Sequence, residues 1–201
     1  MPARAKVSSK GAGIGPIQKS VEKLIRTRLL VGIPGDSAPR QPAPGEKNPP
    51  NNAVIGYLME TGDAEMNLPA RPFLDPGVRA ALPAITKGMT KAVVSALSGK
   101  PAEIKNGFDE AGLAAVASIQ GVMIAGGFAP LSDRTIEARA RRRNPDTGKL
   151  SGAATSRNAR NFLKLRGEGV PDEVLHDAGL AAPLLDTRSL FRSVTYIVKQ
   201  R

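Results

Sequence analysis

Residues able to do chemistry are sparse in this chain. It has one histidine, His176, and no cysteine. Histidine-based metal sites, thiolate metal sites and disulfides are therefore excluded. A Ser–His–Asp triad would have to run through His176. Its neighbour Asp177 and the helical pattern around it favour a surface histidine. Glu60, Asp63 and Glu65 form a carboxylate cluster of the kind that binds a divalent ion. Beside Gly62 the same cluster reads more simply as a solvated acidic turn. Asp109 and Glu110 stand near a helix start, where acids complement the helix dipole. The glycines of GAGIG, residues 11–15, follow no strand and precede no Lys-Ser/Thr pair, so they make no phosphate loop. There is no dinucleotide fingerprint and no nucleophile elbow. The expectation is a protein without catalytic residues, cofactor or metal.

Charge is the stronger chemical signal. The net charge is +11, and residues 134–167 hold ten Lys/Arg against two acids. A basic segment of this density suits a polyanion such as double-stranded DNA, or an acidic protein surface. The candidate contacts are Arg139, Arg141, Arg142, Arg143, Arg157 and Arg160, with Arg141–Arg143 expected to face the partner. Phe162 is the only aromatic residue here, so base stacking has little support. No DNA-docking motif is present. A solvated basic insertion remains the alternative reading.

Composition bounds the scaffold. Aromatic residues make up 3% of the chain, Trp is absent, and there are 21 Gly and 17 Pro. This predicts one domain over residues 1–201 with a thin core and long loops, stabilised in part by partner subunits. Residues 1–15 read as a mobile arm, 36–50 as a Pro-rich loop and 141–182 as a basic insertion. The opening residues lack the apolar core of a signal peptide, and no run of about 18 apolar residues suggests a membrane span. A soluble protein made in the cytoplasm is expected.

The elements that would position these residues are organised around Leu68–Gly77, LPARPFLDPG. Three prolines stiffen it and argue against regular helix, holding Phe73 and Leu74 on a rigid frame. These two side chains are expected to dock on a neighbouring subunit or on the long helices that follow. Upstream, a helix from Pro16 to about Arg28 places Ile17, Val21, Leu24 and Ile25 on one face, and Leu29–Ile33 alternates as a strand. Asn51 or Asn52 caps a helix that stops at Gly62. Downstream, a helix over Val78–Leu97 puts Val78, Leu82, Ile85, Met89, Val93 and Ala96 inward. A second, from Ala102 to about Ala125, interleaves small residues and forms a tight hairpin with the first. Ser132 caps a short helix. Ser156–Arg166 is helical with Phe162, Leu163 and Leu165 as an apolar face, expected to contact a neighbouring subunit. Pro171 opens another short helix. Asp186 or Thr187 caps a turn carrying Leu190. Val194–Val198 alternates as a terminal strand, paired antiparallel with Leu29–Ile33. The fold class is α+β: two long helices packed on a small, mostly antiparallel sheet.

Three segments carry a resemblance. IGYLMETGDAEMNLPARPFLDPGV (Ile55–Val78), FAPLSDRTIEARARRR (Phe128–Arg143) and PLLDTRSLFRSVTYIVK (Pro183–Lys199) together resemble the neck and tail-completion proteins of tailed bacteriophages, the phage virion morphogenesis or putative tail-component family. The pattern is a short helix ending in an acid and glycine, an "IPARPFL" segment, a long helix, a "PLS-x-x-T-x-x-x-R" linker and a late "LIDTG-x-L-x-x-SI-x-Y" strand. The match covers about a third of the chain. It departs at Arg188, where the pattern usually has Gly. It departs again at Arg141–Ala182, which the family often shortens.

The resemblance implies a structural subunit of the head–tail junction, tail-terminator-like. Such a subunit joins the tail to the DNA-filled head as a homo-oligomeric ring of six subunits, with twelve as the alternative. The implied partners are adjacent head-closure, portal-adaptor or tail-tube proteins and the double-stranded DNA of the lumen. The implied location is the virion, assembled in the host bacterial cytoplasm. A head-closure protein and a free basic nucleic-acid-binding protein are the alternatives. Interface residues expected are Pro69, Arg71, Pro72, Phe73, Leu74, Leu185, Asp186, Thr187 and Leu190, with Phe162 and Leu165 added from the apolar face of their own helix rather than from the resemblance.

Overall fold

The computed structural model describes residues 14–35, 50–144, 146–186 and 188–200. The expected arm and Pro-rich loop lie largely outside the described residues, and so does Thr187. Ten elements follow in order: α1 (Gly15–Arg26), β1 (Thr27–Gly32), α2 (Asn52–Thr61), α3 (Leu74–Leu97), α4 (Ile104–Ala125), α5 (Asp133–Arg141), α6 (Ala154–Gly167), α7 (Asp172–Asp177), α8 (Ser189–Ser193) and β2 (Thr195–Gln200). The fold is α+β, as expected. Helices dominate and β1 pairs antiparallel with β2 in a two-stranded sheet.

The pairing places Leu29 opposite Val198 and Val31 opposite Tyr196. Leu29 and Val198 reach the core cluster around Phe108 and Ile104, and Val31 packs on the cluster around Ile119. Gly112 on α4 gives Tyr196 its place: a methyl group there would collide with the tyrosine ring.

The α3–α4 hairpin is the spine. Its seam is made of small residues: Gly88, Ala92 and Ala96 on α3, and Gly107, Ala111 and Ala115 on α4, all buried. A Cβ on Gly107 would stand 2.5 Å from the Gly88 carbonyl oxygen, so the two backbones approach as only glycine allows. This seam corrects the expected α3 face. Leu82 and Val93 are exposed, and Ile85 and Met89 are half-buried. The buried row, Gly77, Ala81, Gly88, Ala92 and Ala96, lies rotated from the bulky stripe, because close backbone approach selects the smallest residues. Ile25 of α1, also expected inward, is exposed. By length and composition α4 is apolar enough to cross a bilayer, contrary to the sequence expectation. Here its buried side chains pack against α3 and the sheet.

The start of α3 is a second correction. The helix begins at Leu74, inside the proline-rich segment, rather than at Val78. Pro76 falls in the first turn, where a helix needs no N–H donor. The three donors that remain go to one carboxylate. Glu60, at the end of α2, accepts from Phe73 N (2.8 Å), Leu74 N (2.9 Å) and Asp75 N (3.0 Å). The ladder then starts with Gly77 N to Phe73 O. A negative charge at this end also complements the helix dipole.

Candidate interaction surfaces

The prolines and arginines of the 68–77 segment divide between surface and interior. Pro69 and Pro72 are exposed. Arg71 is buried: its Nε donates to Ala129 O (2.8 Å) and its Nη2 to Pro130 O (2.9 Å). Burial lowers its pKa from the ordinary arginine value. Phe73 is fully buried among Ile119, Met123, Leu184, Leu190 and Val194, and Leu74 packs half-buried against the same cluster. Of the two expected docking places for Phe73, the chain uses its own long helix. Arg71, Phe73 and Leu190 are thus interior residues rather than subunit contacts.

The basic insertion is a folded appendage. Helices α5, α6 and α7 enclose their own core of Ile136, Ala140, Ala159, Phe162, Leu175 and Ala181. Phe162 is fully buried there and Leu165 packs against it, so both expected subunit contacts are taken up inside the chain. The Arg166 guanidinium lies 5.0 Å from the Phe162 ring centroid, and His176 meets the ring at the same centroid distance, tilted by 45°. Arg166 also pairs with Asp172 and with Asp133 (2.9 Å), and these hydrogen bonds raise its pKa.

Three of the six arginines named as candidate contacts for DNA or an acidic partner are structural. Arg139, only 5% exposed, donates to Ala182 O (2.8 Å) and Pro183 O (3.2 Å). Arg142 binds both oxygens of Asp186, at 2.8 and 2.7 Å. Arg160 donates to Ala140 O and Ser151 O. Burial pushes the Asp186 carboxyl up. The Arg142 hydrogen bond and the Arg139 and Arg142 charges outweigh it, and the net shift is downward. Asp186 is therefore an anchor between the appendage and the 183–186 segment, not a helix cap. The residue preceding α8 is Arg188, with no side-chain cap bond. Arg141, Arg143 and Arg157 are exposed, Arg141 paired with Glu137 (2.6 Å).

Among the described residues no group of three His, Cys, Asp or Glu could hold a metal ion. Asp63 accepts from Met66 N (3.0 Å) and closes the turn by backbone bonds to Leu68. A cleft of about 800 Å³ lies between this turn and α5, lined by Met59, Leu68, Arg71, Pro130, Thr135 and Arg139 among others. Both of its arginines are engaged with backbone carbonyls. Leu185, half-buried, lines a smaller cavity of about 230 Å³ beside Asp186.

Sequence reasoning missed the Glu60 cap and the arginine-to-carbonyl bonds. Most join residues more than ten positions apart, and only the acid-then-glycine end of α2 hinted at the first. Comparison with protein-family models, with curated proteins and with solved structures finds no match to this chain.

Proposed function

We propose that the chain is a structural subunit of the head–tail junction of a tailed bacteriophage. On this reading it is a neck or tail-completion protein that works as a ring. The observation that carries the reading is local. Arg188, where the pattern described above usually has Gly, adopts φ +56° and ψ +11°, the left-handed region that favours glycine. The pattern's glycine thus has a physical reason in this backbone. Support also comes from the three pattern-bearing segments meeting: Phe73 contacts the cluster of Leu184, Leu190 and Val194, and Arg142 of the linker holds Asp186.

Assembly is supported by apolar surface left uncovered. Leu82, Val93, Val94, Leu97, Leu113 and Ile124 of the hairpin are all exposed. Exposed Arg141, Arg143 and Arg157 suit sequence-independent contact with lumen DNA. The test is electron microscopy of purified protein and of particles from a phage in which this gene carries a stop codon. Closed rings, together with separate DNA-filled heads and tails in the mutant lysate, are expected. Normal, joined particles in that lysate overturn the reading.

A further inference from the structure

The sheet carries a feature that the isolated chain does not explain. Arg28 and Lys199 are directly opposite each other across β1 and β2, both exposed. Like charges in that position destabilise a sheet. Among the described residues no carboxylate pairs with either. The next pair on the same face is Leu30 and Ile197, 52% and 44% exposed. The outer face of the sheet is therefore basic at one end and apolar beside it.

Among the described residues four exposed acids have a cation: Asp75 with Arg79, Glu103 with Lys100, Asp133 with Arg166 and Glu168 with Lys164. The turn after α2 holds an exposed acid without a cation among the described residues, as do Glu22, Asp146, Glu173 and Asp177 elsewhere. Glu65 is exposed and has no ion-pair partner among the described residues; it is next to Met66 at 62% exposure and close in sequence to Tyr57 at 67%. An exposed Tyr and Met beside a carboxylate match Leu30 and Ile197 beside two cations in both polarity and charge. Within one molecule no ion pair joins the two patches.

We propose that the outer sheet face (Arg28, Leu30, Ile197, Lys199) docks on the α2–α3 turn of a second copy (Tyr57, Glu65, Met66). The contact is head-to-tail, so each copy offers one patch to each neighbour, as a ring requires. This rests on the ring reading above. With a net charge of +11 the copies repel at long range. The contact therefore needs local opposite charge to form.

The experiment measures self-association of the full chain by sedimentation and native mass spectrometry. Lys199→Glu is expected to weaken association by at least about tenfold. Its melting temperature should hold or rise, because the new carboxylate faces Arg28. Adding Glu65→Lys to the same chain is expected to restore most of the association. Unchanged association in Lys199→Glu overturns the contact and leaves the ring reading standing. Rescue by Glu173→Lys on α7, and not by Glu65→Lys, also overturns it. A wild-type chain that stays monomeric at all concentrations removes the ring reading and the contact together.

Discussion

The hairpin-and-sheet body and the α5–α7 appendage each bury one phenylalanine completely, Phe73 and Phe162. The company they keep differs. Phe73 packs with Ile119, Leu184 and Val194, drawn from across more than a hundred residues. Phe162 packs with Ile136, Leu175 and Ala181, all within the appendage. Around the first core, small residues and backbone approach set the geometry. Around the second, arginines do, tying α5 and α6 to carbonyls and to Asp186. A high count of cations is thus compatible with a folded unit in which many of them are internal fasteners.

The comparison breaks most visibly at the two phenylalanines. Each change to Ala is expected to cost about 3–5 kcal/mol at its site. Phe73→Ala should lower the denaturant midpoint of the whole chain, because its partners span both ends. Phe162→Ala should instead raise amide exchange in α5–α7 while the α3–α4 amides stay protected. Hydrogen exchange by mass spectrometry separates the two. Equal loss of protection in both regions for Phe162→Ala would show that the appendage has no independent stability.

Asp186 is where the regions meet. Asp186→Asn leaves Arg142 and Arg139 without their carboxylate, and is expected to cost about 2–3 kcal/mol, less than a fully buried pair because Asp186 and Arg142 keep some water. The pH dependence follows from the sign of the shift. Its pKa is lowered in the folded chain, so its contribution is fully present above the ordinary aspartate value and is lost as pH falls through the folded value. The stability gap between wild type and Asp186→Asn should accordingly narrow below about pH 4. Urea titrations at a series of pH values measure this gap directly, and a gap that widens on acidification would contradict the assignment.

What was legible in the sequence follows the same division. The α3–α4 hairpin could be read because apolar and small residues recur at helical spacing over twenty positions. The β1–β2 pairing could be read from alternation at both ends of the chain. The choice of buried face on α3 could not, since period alone does not say whether bulky or small residues take the seam. Nor could the helical start at Leu74, which depends on Glu60 arriving from another helix. In the appendage, charge density pointed to a partner, yet Arg139, Arg142 and Arg160 bond to groups in this same chain. Carbonyl acceptors carry no signature in the sequence, so arginines that bind them look like arginines that bind DNA.

Arg188 sharpens the body side of the comparison. A non-glycine residue in the left-handed region carries a steric cost, and glycine relieves it at some entropic expense in the unfolded chain. Arg188→Gly is expected to stabilise by about 0.5–1 kcal/mol, read as a higher melting temperature. Arg188→Val should destabilise by more than that, since a β-branched side chain fits the left-handed region worst. A destabilised glycine variant would mean that the Arg188 side chain makes contacts of its own that outweigh the backbone term.

The smallest effect on stability is expected where the appendage faces water. Arg141, Arg143 and Arg157 are exposed, and the Arg141–Glu137 pair is open to solvent. Replacing all three by Gln should change stability by less than about 0.5 kcal/mol. Their effect on DNA should be large by comparison. If each neutralises one phosphate, the slope of log affinity against log salt falls by roughly 0.9 per arginine for duplex DNA. Arg139→Gln gives the complementary result: the appendage loses exchange protection, because the part-buried carbonyls of Ala182 and Pro183 lose their donor. Fluorescence anisotropy with a random-sequence duplex at several salt concentrations reads the first quantity, and hydrogen exchange reads the second. A triple variant with an unchanged salt slope would remove these three arginines from the DNA contact and leave them as solvating charge. A reduced slope at unchanged stability would assign the appendage two separate sets of arginines, one holding it together and one meeting phosphate.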